Sequence, residues 1–185
     1  MPLKKLPYER LSALIGIHLS TKEDAETQEL IHDLASVRRR GYLTKPELLR
    51  VCRWKSARAI HQIRRNSEES VRRITRGAFR TRSERKRLEM LTSLRGVQVP
   101  MASAILMLTN PRRYGVIDIR VWQLLFKMGA VTTNKRGAGF NFKNWYRYIV
   151  LLRSYAGKYG VHVRDIERTL FRVHARYQKG KLYGG

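Results

Sequence analysis

The sequence predicts an all-α fold. Apolar residues recur three and four apart through most of its length, which is the period of one face of a helix. Short helix-opening signatures repeat ahead of those runs. No segment alternates apolar with polar residues as a half-buried strand would. Ser20-Thr21-Lys22-Glu23 reads as a capping box opening an amphipathic helix that runs to about Arg40 and stops at Gly41. Thr44-Lys45-Pro46-Glu47 repeats the device for a helix over 45–53, with proline in the first turn, where it costs no hydrogen bond. Asn66-Ser67-Glu68-Glu69 starts a third helix, with Val71, Ile74, Ala78 and Phe79 on one face, and Thr81-Arg82-Ser83-Glu84 opens a fourth. That helix leads through Leu88, Leu91 and Leu94 into Gly96-Val97-Gln98, and a second apolar run follows at Ala102, Ile105, Leu106 and Leu108. A helix over 119–128, an irregular glycine-containing stretch over 130–142, helices over 143–159 and 162–177, and a frayed tail over 179–185 complete the reading.

Charge is the next signal. The 185 residues carry 39 Lys and Arg against 14 Asp and Glu, a net charge of +25. Arginine is spread along many helices instead of being gathered in one tail. A balanced solvated surface would not need such an excess, which repels itself in the absence of a polyanion, so the expected partner is nucleic acid. The 43% hydrophobic content is enough for one packed domain, or two helical lobes sharing a core. The one cysteine, Cys52, excludes intramolecular disulfides and suits a reducing compartment. No apolar run is long enough for a membrane span, and Met1-Pro2-Leu3-Lys4-Lys5 does not open a secretory signal, so a cytoplasmic location is expected, nucleoid-associated in a bacterium. His18, His32, His61, His162 and His174 fall on separate segments without ligand spacing, so no metal is expected.

The densest information lies between Leu91 and Trp122. Gly96-Val97-Gln98 joins two apolar helices in a turn that presents backbone N–H groups at the start of the second, an arrangement that grips an anion through orphan amides and the positive end of the helix dipole. Asp118 follows at another helix start, inside Val116-Ile117-Asp118-Ile119. Leu94-Arg95-Gly96-Val97-Gln98, then Ala102, then Ile117-Asp118-Ile119-Arg120, resembles the helix-hairpin-helix DNA glycosylases, the superfamily of endonuclease III, the adenine glycosylase and 8-oxoguanine glycosylase. Val121-Trp122-Gln123 is similar to the 8-oxoguanine glycosylase branch. The resemblance is specific over this central segment and looser over the flanking helices.

The resemblance implies a two-lobed helical fold with a cleft between the lobes: one lobe from 1–55 plus 143–178, a hairpin lobe over 56–129, and the basic glycine-containing loop over 130–142. It implies a monomer that binds double-stranded DNA, needs no cofactor, flips a damaged or modified base into the cleft and hydrolyses its bond to the sugar. Arg95, Gly96, Val97, Gln98, Val99, Met101 and Arg120 are then the DNA-binding residues, and Asp118 the catalytic one. Three departures qualify this. Gln98 stands where the family has the hairpin's second glycine, which is tolerable if its φ is negative. Pro100 stands where the family's nucleophilic lysine sits and has no amine, so strand cleavage is expected to be weak or absent. The four cysteines of an iron–sulfur loop are missing.

Each residue also has a plainer reading. Asp118 is a natural N-cap for the 119–128 helix, and that role is compatible with catalysis. Arg120 either meets a phosphate, salt-bridges Asp118 or faces solvent. Trp54 and Lys55, in Arg53-Trp54-Lys55-Ser56, either line the base pocket or contact DNA, or Trp54 plugs the core; Lys55 is the one candidate for a displaced lyase amine. Trp122 and Trp145 read as core. Glu167 and Asp165 either offer a second carboxylate or, on the plainer reading, form helix-surface ion pairs with Arg164 or Arg168. A non-catalytic helix-hairpin-helix DNA- or RNA-binding protein is the alternative to an enzyme, and a ribosome-associated basic protein is a weaker third. The Asp118-to-Trp122 similarity leans toward an oxidised purine, but alkylated purines, mismatched or deaminated bases and modified pyrimidines stay open.

Overall fold

Helices account for every extended element among residues 3–178, the part of the chain that the computed structural model describes; the only β feature there is an antiparallel bridge between Leu3 and Gln178. The tail over 179–185 lies outside the described residues. In chain order the helices are α1 (Leu11–His18), α2 (Ala25–Asp33), α3 (Ala35–Arg40), α4 (Lys45–Ser56), α5 (Ile60–Arg64), α6 (Glu68–Arg80), α7 (Glu84–Thr92), α8 (Val99–Thr109), α9 (Ile119–Lys127), α10 (Phe142–Tyr159) and α11 (Val163–Tyr177). The all-α expectation holds.

Most helix starts form where their local chemistry places them. Thr44 and Glu47 make both halves of a capping box, the Glu47 carboxylate accepting from the Thr44 N–H at 2.7 Å. Ser67 and Ser83 cap α6 and α7 by accepting from Ser70 N–H and Lys86 N–H. The box expected at Ser20 does not form. Residues 19–24 form no helix, and α2 begins at Ala25 under a cap from Asp24, whose carboxylate accepts from the Thr27 N–H at 2.9 Å. The cause is tertiary: Glu23, expected to close the box, accepts instead from Arg164 and Arg168 of α11. The single helix expected up to Arg40 is broken at Leu34, and Gly41, at φ +83°, ends its second piece. Helix α1, which has no cap signature, exists because Leu11, Leu14 and Ile15 bury one face, and the helix packs against α11.

Two helices organise the core. α8 is buried on all sides from Met101 to Thr109, as a helix apolar all round must be, with α2, α3, α4 and α7 packed around it. α11 is enclosed by α1, α9 and α10. The chain from Asn110 to Asp118 runs between them and is pinned on both sides. Ser103 Oγ of α8 accepts from the Ile117 N–H at 3.0 Å, Tyr148 of α10 donates to the Val116 carbonyl at 2.8 Å, and the Arg164 N–H donates to the Pro111 carbonyl at 3.1 Å. Asp118 is thereby delivered to the head of α9 by a fixed segment. Trp122 and Trp145 are fully buried, as expected of core residues.

α11 also carries His174, which is 1% exposed and has no hydrogen-bond partner for either ring nitrogen. Burial pushes its pKa down to about 4, the positive charge of Arg120 adding to the shift and Asp118 opposing it. The folded state therefore prefers the neutral ring, while the unfolded ring titrates at its ordinary 6.5. Stability from this group is complete above pH 6.5 and is lost as pH falls toward 4. Between pH 7 and pH 5 the loss is about 2 kcal/mol, several degrees of melting temperature. In His174→Leu this part of the pH dependence is expected to vanish. Urea unfolding of both proteins at pH 7 and 5 measures it, and parallel losses in the two would refute it.

Candidate active site

The hairpin between α7 and α8 is held by a residue whose only visible local role was at a helix start. Asn66 Oδ1 accepts from the Arg95 N–H, and its Nδ2 donates to the Arg95 carbonyl, both at 2.9 Å, so one amide grips the turn by both edges. Gly96 takes φ +79° against α5; a Cβ there would stand 2.9 Å from the Gln62 Cβ and 3.1 Å from the Ile63 nitrogen. Gly96→Ala is therefore expected to cost about 2 kcal/mol through left-handed strain plus that clash. A melting temperature within one degree of wild type would show that the turn does not need the glycine.

Gln98 sits at φ −90°, an ordinary value for a residue with a side chain, so a residue other than glycine at this position does not distort the turn. It is the N-cap of α8 but makes no side-chain cap, and Pro100 in the first turn has no N–H. That leaves the Val99 and Met101 amides of the first turn without intrahelical acceptors. Two of the expected DNA-binding residues need correction. The Val97 side chain is 3% exposed and its N–H already donates to the Leu94 carbonyl, so it offers neither to a ligand; it is the apolar plug of the turn. Met101 is 5% exposed and can meet DNA only through its backbone. Arg95 and Gln98 are exposed and Val99 is half-buried.

Asp118 caps α9, one carboxylate oxygen accepting from the Arg120 N–H at 2.8 Å. Its other oxygen lies 3.0 Å from Lys55 Nζ, and both side chains are largely covered, at 19% and 17% exposure. Lys55 reaches it because α4 runs three residues past its expected end and packs on α8, the helix that also anchors Ile117. Arg120 does not pair with Asp118; its guanidinium lies over the Phe171 ring, 5.0 Å from the centroid.

Two cavities meet at this pair. One, of about 440 Å³, is lined by Trp54 and Phe171 with Arg120 and Glu167. The other, of about 500 Å³, lies between Gly96, Gln98 and Pro100 of the hairpin and Gly137 to Phe140 of the loop. Lys55, Asp118 and Ile119 border both. The hairpin and the aspartate thus face one space, and Trp54 and Asp118 face the next. Trp54 is partly buried against the core, its Nε1 donates to Thr27 Oγ1 at 3.0 Å, and it walls the first cavity.

The loop over 130–142 lies largely at the surface and is fastened along one side to α9. Trp122 Nε1 donates to the Asn134 carbonyl at 2.9 Å, Gln123 Nε2 to the Arg136 carbonyl at 3.0 Å, and Gly137 at φ +66° lies against Ile119, where a Cβ would be 3.3 Å from the Ile119 oxygen. It forms a wall of the second cavity.

The acidic residues of α11 also differ from expectation. Their partners are Arg164 and Arg168 as expected, but the pairs are buried, not on the surface. Glu23 joins them, accepting from Arg164 Nε at 2.7 Å and from Arg168 Nη1 at 2.8 Å. Burial raises the Glu167 pKa above the usual carboxylate range, against the pull of Arg164 and, more weakly, of Lys55. Burial also works against the Arg164 charge, but Glu167 and Glu23 more than offset it and hold its pKa above the ordinary value. Phe171 carries no sequence signal of a site residue, and Glu167 shows only as a possible second carboxylate, because nothing local in VRDIERTLF separates a cavity wall from a helix surface. Among the described residues no group of three or more His, Cys, Asp or Glu side chains is arranged to hold a metal ion, and no helix is long and apolar enough to cross a membrane. No family model matches the chain, and neither a curated protein nor a solved structure does.

Proposed function

We propose that this chain is a DNA N-glycosylase that extrudes a damaged or modified base from duplex DNA and hydrolyses its bond to deoxyribose, leaving an abasic site. The observation that carries the reading is the shared cavity: the phosphate-gripping turn at Gly96–Gln98 and the Asp118 carboxylate border the same space. A phosphate at the free amides of α8 brings the attached sugar toward Asp118, and the base then falls into the cavity walled by Trp54 and Phe171. Breaking the base–sugar bond develops positive charge on the sugar. A fixed carboxylate stabilises that charge and orients or deprotonates the attacking water. The volume of about 440 Å³ is within the range of small-ligand pockets, about 300–1,000 Å³.

The proposal includes a two-lobed arrangement, in which the cleft between the hairpin helices and the N- and C-terminal helices takes the flipped nucleotide, and a monomeric enzyme acting on double-stranded DNA. The net charge of +25 supplies the nonspecific attraction. The competing reading is a pure nucleic-acid binder in which Lys55 neutralises Asp118 as a structural pair.

Single-turnover excision on duplexes that each carry one oxidised, alkylated, deaminated or otherwise modified base separates them. Release of one base, lost in Asp118→Asn, is expected. Tight binding to every duplex with no base released would establish the binder.

A further inference from the structure

We propose that Lys55 is an amine nucleophile for the abasic sugar, and that the protein also cleaves the DNA strand by β-elimination. This rests on the reading of the site as one that holds deoxyribose. Pro100 removes the amine expected on the hairpin and with it the expected route to strand cleavage, yet the structure brings another amine to the same carboxylate from a different helix. Lys55 Nζ is 3.0 Å from Asp118 Oδ2, at the ridge where the two cavities meet. Among the described residues lining those cavities it is the only primary amine; the other cations are arginines, which do not form imines with carbonyls. Its place at the end of α4 is fixed by packing, Trp54 beside it being held by Thr27. An ammonium needed only to neutralise Asp118 has no reason to face both spaces.

The chemistry balances without an added oxidant or reductant. Base hydrolysis leaves a sugar whose open-chain form has an aldehyde at C1′. The Lys55 ammonium passes a proton to the adjacent Asp118 carboxylate, and the free amine adds to C1′, forming a C–N bond. The former carbonyl oxygen is protonated and leaves as water, giving an iminium ion. That ion acidifies the C2′ hydrogen; loss of the C2′ proton forms a C2′–C3′ double bond as the C3′–O bond breaks and the 3′-phosphate departs with the electron pair. Water then hydrolyses the imine and restores the amine.

A duplex containing one preformed abasic site tests this without knowledge of the base substrate. The full-length protein is incubated with that duplex and borohydride, which reduces an imine to a stable secondary amine. A covalent protein–DNA band is expected, with the modification mapped to the peptide containing Lys55. Lys55→Arg keeps a cation beside Asp118 and should retain the fold while losing the band; Lys55→Gln checks the same loss without the charge. No band from wild type, or an undiminished band from Lys55→Arg, overturns the proposal. Base release measured on the same preparations keeps the two readings apart. Release without trapping leaves the glycosylase and removes the lyase, whereas trapping without release on any modified base supports the amine and counts against the glycosylase.

Discussion

Asp118→Asn is expected to lower the single-turnover rate of base excision by about 10²–10⁴-fold, the usual contribution of a positioned general base or charge-stabilising group. The variant separates the two roles of this residue. Asparagine is as good an N-cap as aspartate, and its side-chain oxygen still accepts from the Arg120 N–H, so α9 should keep its start. On the proposed reading, what disappears is the negative charge beneath the sugar and a base for the water. Lys55 loses its ionic partner, but at 17% exposure it is not sealed from solvent. The expected signature is therefore a protein with near-native melting temperature and DNA affinity that has lost chemistry. Unchanged excision would remove Asp118 from the reaction. A collapse of folding with activity would mean that the cap and ion pair were its whole purpose.

The fold was legible where the determining chemistry is local. Thr44, Ser67 and Ser83 each meet their partners within three residues, so the helix starts at 45, 68 and 84 follow from short words in the chain. Ser20 to Glu23 contains an equally good word and fails, because Glu23 finds two guanidiniums on α11, more than 140 residues away. The site divides in the same way. Gly96 and Asp118 were legible because the turn and the cap are local objects with a fixed spacing. The partnership of Asp118 with Lys55 was not, since it joins the end of α4 to the head of α9, 63 residues apart in the chain. The burial of Glu167 was hidden for a third reason: an acidic residue three positions from an arginine looks the same along a helix whether the pair is solvated or buried.

Glu23→Ala is the change expected to cost the most stability, about 3–5 kcal/mol, because it removes one partner from a buried charge network. Glu23 accepts from both Arg164 and Arg168, which are 10% and 5% exposed. Without it each arginine keeps a single acidic partner, Glu167 or Asp165; Arg164 loses two charge-assisted hydrogen bonds and Arg168 one, where water cannot easily replace them. A loss of that size corresponds to roughly 6–20 °C of melting temperature for a chain of this length. The control is Glu89→Ala, which breaks the Arg85–Glu89 pair on α7; both side chains are 58% exposed there, and the expected effect is below about 1 kcal/mol. Salt separates the two further, since added salt should erase the small effect and leave the large one nearly intact. The irregular segment over 19–24 depends on this anchoring, and α2 behind it supplies the Thr27 hydroxyl that holds Trp54. Glu23→Ala should therefore weaken base excision through the cavity wall even at temperatures where the protein remains folded. Equal, small effects for Glu23→Ala and Glu89→Ala would mean that water reaches the network and that the wall does not rest on it.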